Sequence, residues 1–85
     1  MGRKDPHHTT GNFEHEIDAT GLFCPEPLLL LNEKISVIER GERVKIVLDD
    51  PTGEEDIKRW AGRTGNRIVF FEKDRNEMVF IIEKT

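Results

Sequence analysis

The sequence predicts an α/β fold: a two-layer α/β sandwich of order βαβαββ, with a mixed four-stranded sheet and two helices on one face. Three observations carry the prediction. Apolar residues alternate with period two, or run unbroken, in four short stretches. They recur at helical spacing in two others. The helical stretches separate the first three strands, whereas only a tight turn separates the last two, and right-handed crossovers then put both helices on the same side of the sheet. A chain of 85 residues with 35% hydrophobic content suits one small domain. We assign it to residues 13–85. Residues 1–12 lack apolar periodicity and are expected to form a disordered tail. His7-His8, lying in that tail, lacks the convergent further ligands a metal site needs, so no metal is expected.

Taken in order, Phe13 to Asp18 alternates strictly, with Phe13, His15 and Ile17 on one face and acids on the other, as a half-buried strand does. His15 reads as a packed histidine at the sheet margin; sequence distance alone leaves a pairing with Cys24 open. Pro25 to about Glu39 reads as the first helix, with Leu28, Leu31, Ile35 and Ile38 facing the core and Gly41 as the stop. Leu29 and Leu30 fall off that stripe. They either collar the thiol of Cys24 for a partner to dock on or widen the buried face. Arg43 to Leu48 is the second strand, broken by Asp49-Asp50-Pro51-Thr52-Gly53, where Asp50 or Thr52 can cap the next helix. Glu54, Glu55 and Asp56 then occupy its first turns, where capping and the helix dipole account for them. That helix buries Ile57, Trp60 and Ala61 and runs to about Arg63, with Gly62 or Gly65 ending it. Arg67 to Lys73 and Glu77 to Glu83 are the last two strands, joined by a turn over Asp74-Arg75-Asn76. Both are apolar in both parities, which makes the fourth strand internal and leaves the sheet face away from the helices as a candidate interface.

Charge and composition exclude several functions. The net charge is −4; Arg3, Lys4 and Asp5 give residues 1–12 a charge of +1, so residues 13–85 carry −5. Direct nucleic-acid binding through a broad basic face is therefore not expected. The longest apolar runs, Leu28–Leu31 and Met78–Ile82, are far too short to span a membrane, and the first residues lack the apolar segment of a signal peptide, so none is expected. Together with a single unpaired cysteine this points to the cytoplasm.

That cysteine, Cys24, stands in the stretch Gly21-Leu22-Phe23-Cys24-Pro25-Glu26-Pro27. Gly21 permits a tight bend, and Pro25 and Pro27 stiffen a first helical turn without costing a hydrogen bond. Cys24 is then the expected N-cap, its thiol pKa lowered by the helix mouth, with Glu26 opposing locally. A dithiol redox centre needs a second cysteine. A hydrolytic nucleophile needs a base and an oxyanion site, for which only His15 offers itself. A single-cysteine group carrier needs neither; exposure, nucleophilicity and binding surfaces suffice.

The segment Asp18 to Pro27, followed by Asp49-Asp50-Pro51, Asp56-Ile57, Trp60 and Gly65, resembles the TusA/SirA family of sulfur-carrier proteins, whose signature is Cys-Pro-x-Pro. The resemblance covers essentially all of residues 14–84. It implies a fold similar to the C-terminal domain of translation initiation factor three, with strand order 1-2-4-3. It also implies that Cys24 is the catalytic residue, accepting sulfane sulfur as a persulfide from a cysteine desulfurase or rhodanese-like donor and passing it to an acceptor protein. Gly21, Pro25, Glu26 and Pro27 would position it. Phe23, Leu29, Leu30, Asp49 and Asp50 would serve docking, and no cofactor is needed. Two positions depart from the family's pattern: Phe23, where many relatives have a polar or basic residue, and Asn66, often histidine. The family's pathways include tRNA thiolation, molybdenum-cofactor assembly, selenium metabolism and sulfur oxidation. The alternative from another class is a non-catalytic regulatory or redox-sensing module with the same fold.

Overall fold

The computed structural model describes residues 13–85; the expected tail and its His7-His8 pair lie outside them. The elements follow the order β1 (His15–Ala19), α1 (Glu26–Val37), β2 (Arg43–Leu48), α2 (Gly53–Thr64), β3 (Arg67–Lys73) and β4 (Met78–Glu83). They form one sheet of strand order β1-β2-β4-β3. The β1–β2 pair is parallel, with Ala19 opposite Leu48, and β4 lies antiparallel to both β2 and β3. This is the mixed two-layer sandwich that the alternation of elements predicts.

Alternation decides which side chains face the helices. Val44, Ile46 and Leu48 of β2 meet Met78, Phe80 and Ile82 of β4 in one buried cluster, which Leu31 and Ile35 of α1 and Ile57, Trp60 and Ala61 of α2 complete. Ile38 joins the core although α1 has ended at Val37 and Ile38 is already extended, so the helix stops earlier than the apolar stripe suggests. The two-sided apolarity of β3 has a geometric cause. A register shift between Ile68 and Phe70 inserts one residue, and Ile68 and Phe71, three apart, both turn toward the core. On the opposite face Ile81 is fully buried beside its partners Lys45 and Phe70. The large exposed apolar side chains of the described residues are Phe23, Leu29, Leu30 and Val37, which lie on or beside α1 and not on the open sheet face.

His15 and Cys24 do not meet. His15 opens β1 and pairs its Nε2 with Glu42 Oε1 at 3.1 Å, whereas Cys24 follows the other end of the strand. Among the described residues, no helix is long and apolar enough to cross a membrane.

Candidate functional site

Parallel pairing of β1 and β2 places their following loops side by side, outside the carboxyl ends of the two strands, where open α/β sheets bind ligands. The loop after β1 carries Gly21 to Pro25, and the loop after β2 carries Asp49 to Thr52. Two carboxylates tie them together. Asp49 Oδ1 accepts the Gly21 N–H at 3.0 Å, with Gly21 at φ +81°, a conformation a side chain would disfavour. Asp50 Oδ2 accepts the Cys24 N–H at 2.7 Å, and its Oδ1 takes the Thr52 N–H and hydroxyl, each at 3.1 Å.

Asp50 is thus 8% exposed, with both oxygens occupied. The acceptance of two backbone N–H groups, led by that of Cys24, holds its pKa below the ordinary carboxylate value against the opposing effect of burial. It braces the cysteine loop from within, while Asp49 remains on the surface. The expected side-chain cap of α2 is not made: Thr52 occupies the N-cap position in helical conformation, with no hydrogen bond from its side chain to the helix. Asp50 instead folds the entry with an Asx-type turn, and its carbonyl accepts the Gly53 N–H at 2.9 Å.

The cysteine itself departs from expectation in two ways. Cys24 is not the N-cap. The Glu26 N–H bonds back to the Phe23 carbonyl at 2.8 Å, so Phe23 to Glu26 forms a turn, and α1 is capped by Pro25. The Cys24–Pro25 peptide bond is cis. With Pro25 as the cap, the helix starts one residue later than an N-cap cysteine requires. Second, the thiol pKa is raised, not lowered. The hydrogen bond from Sγ to Asp56 Oδ2, at 2.6 Å, is the largest cause; desolvation by the surrounding atoms and the charges of Asp56 and Asp50 add to it, and Thr52 opposes.

Asp56 is the residue that sequence reasoning missed. Its first-turn position in α2 has a sufficient local explanation, and it stands 32 residues from Cys24. Only the packing of α2 beside α1 brings it to the sulfur. Its place in the Asp56-Ile57 pair of the family-like block was the one available signal.

Cys24 is exposed. Beneath it Pro27, Leu28, Leu48, Gly53 and Ile57 wall a cavity of about 10 Å³, room for roughly one water. Pro27 is buried there, and Glu26 points to solvent. Beside the thiol, Phe23 is 76% and Leu29 60% exposed, so these side chains do not widen the core. Leu22, Leu29 and Leu30 line a shallow groove rimmed by Glu26 and Glu33.

An exposed lone thiol, on a loop braced by carboxylates at the carboxyl end of a parallel strand pair, defines a small single-cysteine domain of SirA-like fold. The crystal structure of a SirA-like protein from Desulfitobacterium hafniense shares that fold, with a TM-score of 0.72 over 82% of this chain and 96% of that one, at 24% identity. The sequence model of the family described as "Sulfurtransferase TusA" matches residues 15–84, and the chain belongs to this TusA family. The sulfur carrier protein TusA of Pseudomonas syringae pv. syringae (strain B728a) is 32% identical over 69 residues, covering 81% of this chain and 82% of that protein. A putative sulfur carrier protein of Archaeoglobus fulgidus is 38% identical over 58 residues, covering 68% and 75%.

Proposed function

We propose that residues 13–85 are a sulfur-carrier domain in which Cys24 accepts sulfane sulfur as a persulfide and relays it between proteins. The observation that carries this reading is the placement of Sγ: exposed, on a stiff turn, at the shared end of β1 and β2. Gly21, Pro25, Glu26 and Pro27 set that turn. Phe23, Leu29 and Leu30 present an apolar docking surface to a donor such as a cysteine desulfurase or rhodanese-like protein, and to the acceptor. The rim of Glu26 and Glu33, with Asp49 nearby, selects partners with basic side chains around an apolar contact. The carrier acts in the cytoplasm, in a biosynthetic pathway such as tRNA thiolation. A redox sensor would want a low-pKa thiolate, and the carboxylates around Cys24 work against one.

The test is intact-mass analysis after incubation with a cysteine desulfurase, its cofactor and cysteine. The wild type gains one reductant-labile sulfur atom and Cys24→Ser gains none. A wild type that stays unmodified while iodoacetamide freely labels Cys24 would sink the proposal.

A further inference from the structure

The groups that face Cys24 share one sign. From the loop after β2 comes Asp50, with Thr52 beside it; from α2 comes Asp56; and Glu26 adjoins it at the start of α1. The cation paired with this group, Arg59, reaches Asp56 and not the sulfur, its Nη1 3.4 Å from Oδ1 and its side chain largely in solvent. Asp50 has no oxygen to spare, since backbone and hydroxyl donors of Cys24 and Thr52 hold both. Asp56 differs: one oxygen receives the thiol hydrogen, the other has, among the described residues, only the long contact to Arg59, and 22% of the side chain is open to solvent.

Thiol–persulfide exchange needs the thiolate. Resting on the reading of Cys24 as the sulfur-carrying residue, we propose that Asp56 determines specificity. It holds Cys24 as the thiol in the free carrier, and a basic side chain of the docked partner, by pairing with Asp56, releases the sulfur for exchange. Within the free domain no described cation reaches Sγ, so the compensating charge comes from outside. The requirement ties reactivity to docking: a small persulfide or oxidant meets a protonated thiol, and a basic protein partner meets a thiolate.

The chemistry balances without an oxidant. Cys24 loses its proton to solvent, and the thiolate attacks the outer sulfur of a partner persulfide. The new bond joins Sγ to that sulfur as the partner's S–S bond breaks. The partner leaves with the electron pair as a thiolate and takes up a proton, so one thiol and one persulfide become one persulfide and one thiol.

The pH dependence of Cys24 alkylation by iodoacetamide tests the masking directly and needs no sulfur donor. Asp56→Asn lowers the midpoint by about one pH unit and speeds alkylation near neutral pH roughly tenfold, while Asp56→Glu, which keeps the charge, stays slow. Asp56→Ser repeats the test should the amide variant not fold. Sulfur loading is then compared between glutathione persulfide and a persulfide-loaded cysteine desulfurase. Asp56→Asn gains roughly tenfold with the small donor and clearly less with the protein donor, whose salt dependence weakens. A variant that alkylates at the wild-type rate, or that gains equally with both donors, overturns the proposal. A wild type that takes sulfur from neither donor instead overturns the carrier reading on which it rests.

Discussion

The two helices are matched in length, at 12 residues each, and packed on the same sheet face, yet they treat their apolar side chains in opposite ways. In α2 the apolar residues Ile57, Trp60 and Ala61 are buried, and charged residues fill most of the outer face. In α1 Pro27, Leu31 and Ile35 are buried, while Leu29 and Leu30, near Phe23, and Val37, at the far end of the helix, are left in solvent. Apolar surface a helix does not need for its own fold is a marker of contact with something else. Thus α2 chiefly holds the domain together and lends Asp56 to the sulfur, and α1 presents the sulfur and the surface around it.

The sharpest way to break this comparison is to remove one apolar side chain from each helix. Trp60 is almost fully buried, and its Nε1 donates to Asn32 Oδ1 at 3.1 Å, a bond that staples α2 to α1. Trp60→Ala should cost about 3–5 kcal/mol, the range for emptying an aromatic core site. Leu29→Ala, on the exposed face, should stay within about 0.5 kcal/mol in the same urea titration. It should nevertheless slow sulfur loading from a protein donor and leave loading from a small persulfide unchanged. A large stability loss at Leu29 would return that side chain to the core and dissolve the contrast.

A smaller effect is expected where the two roles meet. Gly53 begins α2 directly over Leu48, and a Cβ built there falls on Leu48 Cδ1, in a site that is completely buried. Gly53→Ala should therefore cost about 1–3 kcal/mol by overpacking, measured by urea unfolding. Because Gly53 also walls the cavity beneath Cys24, the shift of Leu48 should reach the sulfur and alter the Cys24 alkylation rate. An alanine variant of wild-type stability would mean that Leu48 has room to turn away.

The same contrast explains what could be read from the chain alone. Alternation and helical spacing found every element, because β2 and α2 bury one face each and show it in sequence, and β4, buried on both faces, shows as an unbroken apolar run. The spacing of Leu28, Leu31, Ile35 and Ile38 set the core stripe, but Leu29 and Leu30 stayed ambiguous for a physical reason: four consecutive leucines cover a whole helical turn, so periodicity cannot say how wide the buried face is. The bulge in β3 was hidden because Ile68 and Phe71 obey no single parity. At the site, Cys24 and its motif were legible as a local pattern, but the electrostatics were not. A helix mouth read in isolation favours a thiolate; the folded protein aims Asp56 at the sulfur instead and spends Asp50 on the Cys24 amide. Both contacts join residues far apart in sequence, and each acid had a sufficient local explanation in the α2 cap and dipole.

The smallest expected effect is the dependence of folding stability on pH, and it separates the two acids at the site. The Cys24 thiol is raised in the folded protein, chiefly by its hydrogen bond to Asp56, so the native state holds that proton more tightly than the unfolded chain does. Its contribution is fully present below the ordinary thiol pKa and is lost as pH rises through the folded value. Asp50 runs the other way. Its folded pKa is depressed, chiefly by the Cys24 N–H, so its contribution is present above the ordinary carboxylate pKa and lost as pH falls through the folded value. Asp18, Glu42, Glu54 and Asp74 are depressed as well and share that acid limb. Urea midpoints measured across pH should therefore show Cys24→Ala flattening the alkaline limb and leaving the acid limb in place. An alkaline limb unchanged by loss of the thiol would show that Sγ and Asp56 are not coupled in solution, and α2 would then keep only its structural role.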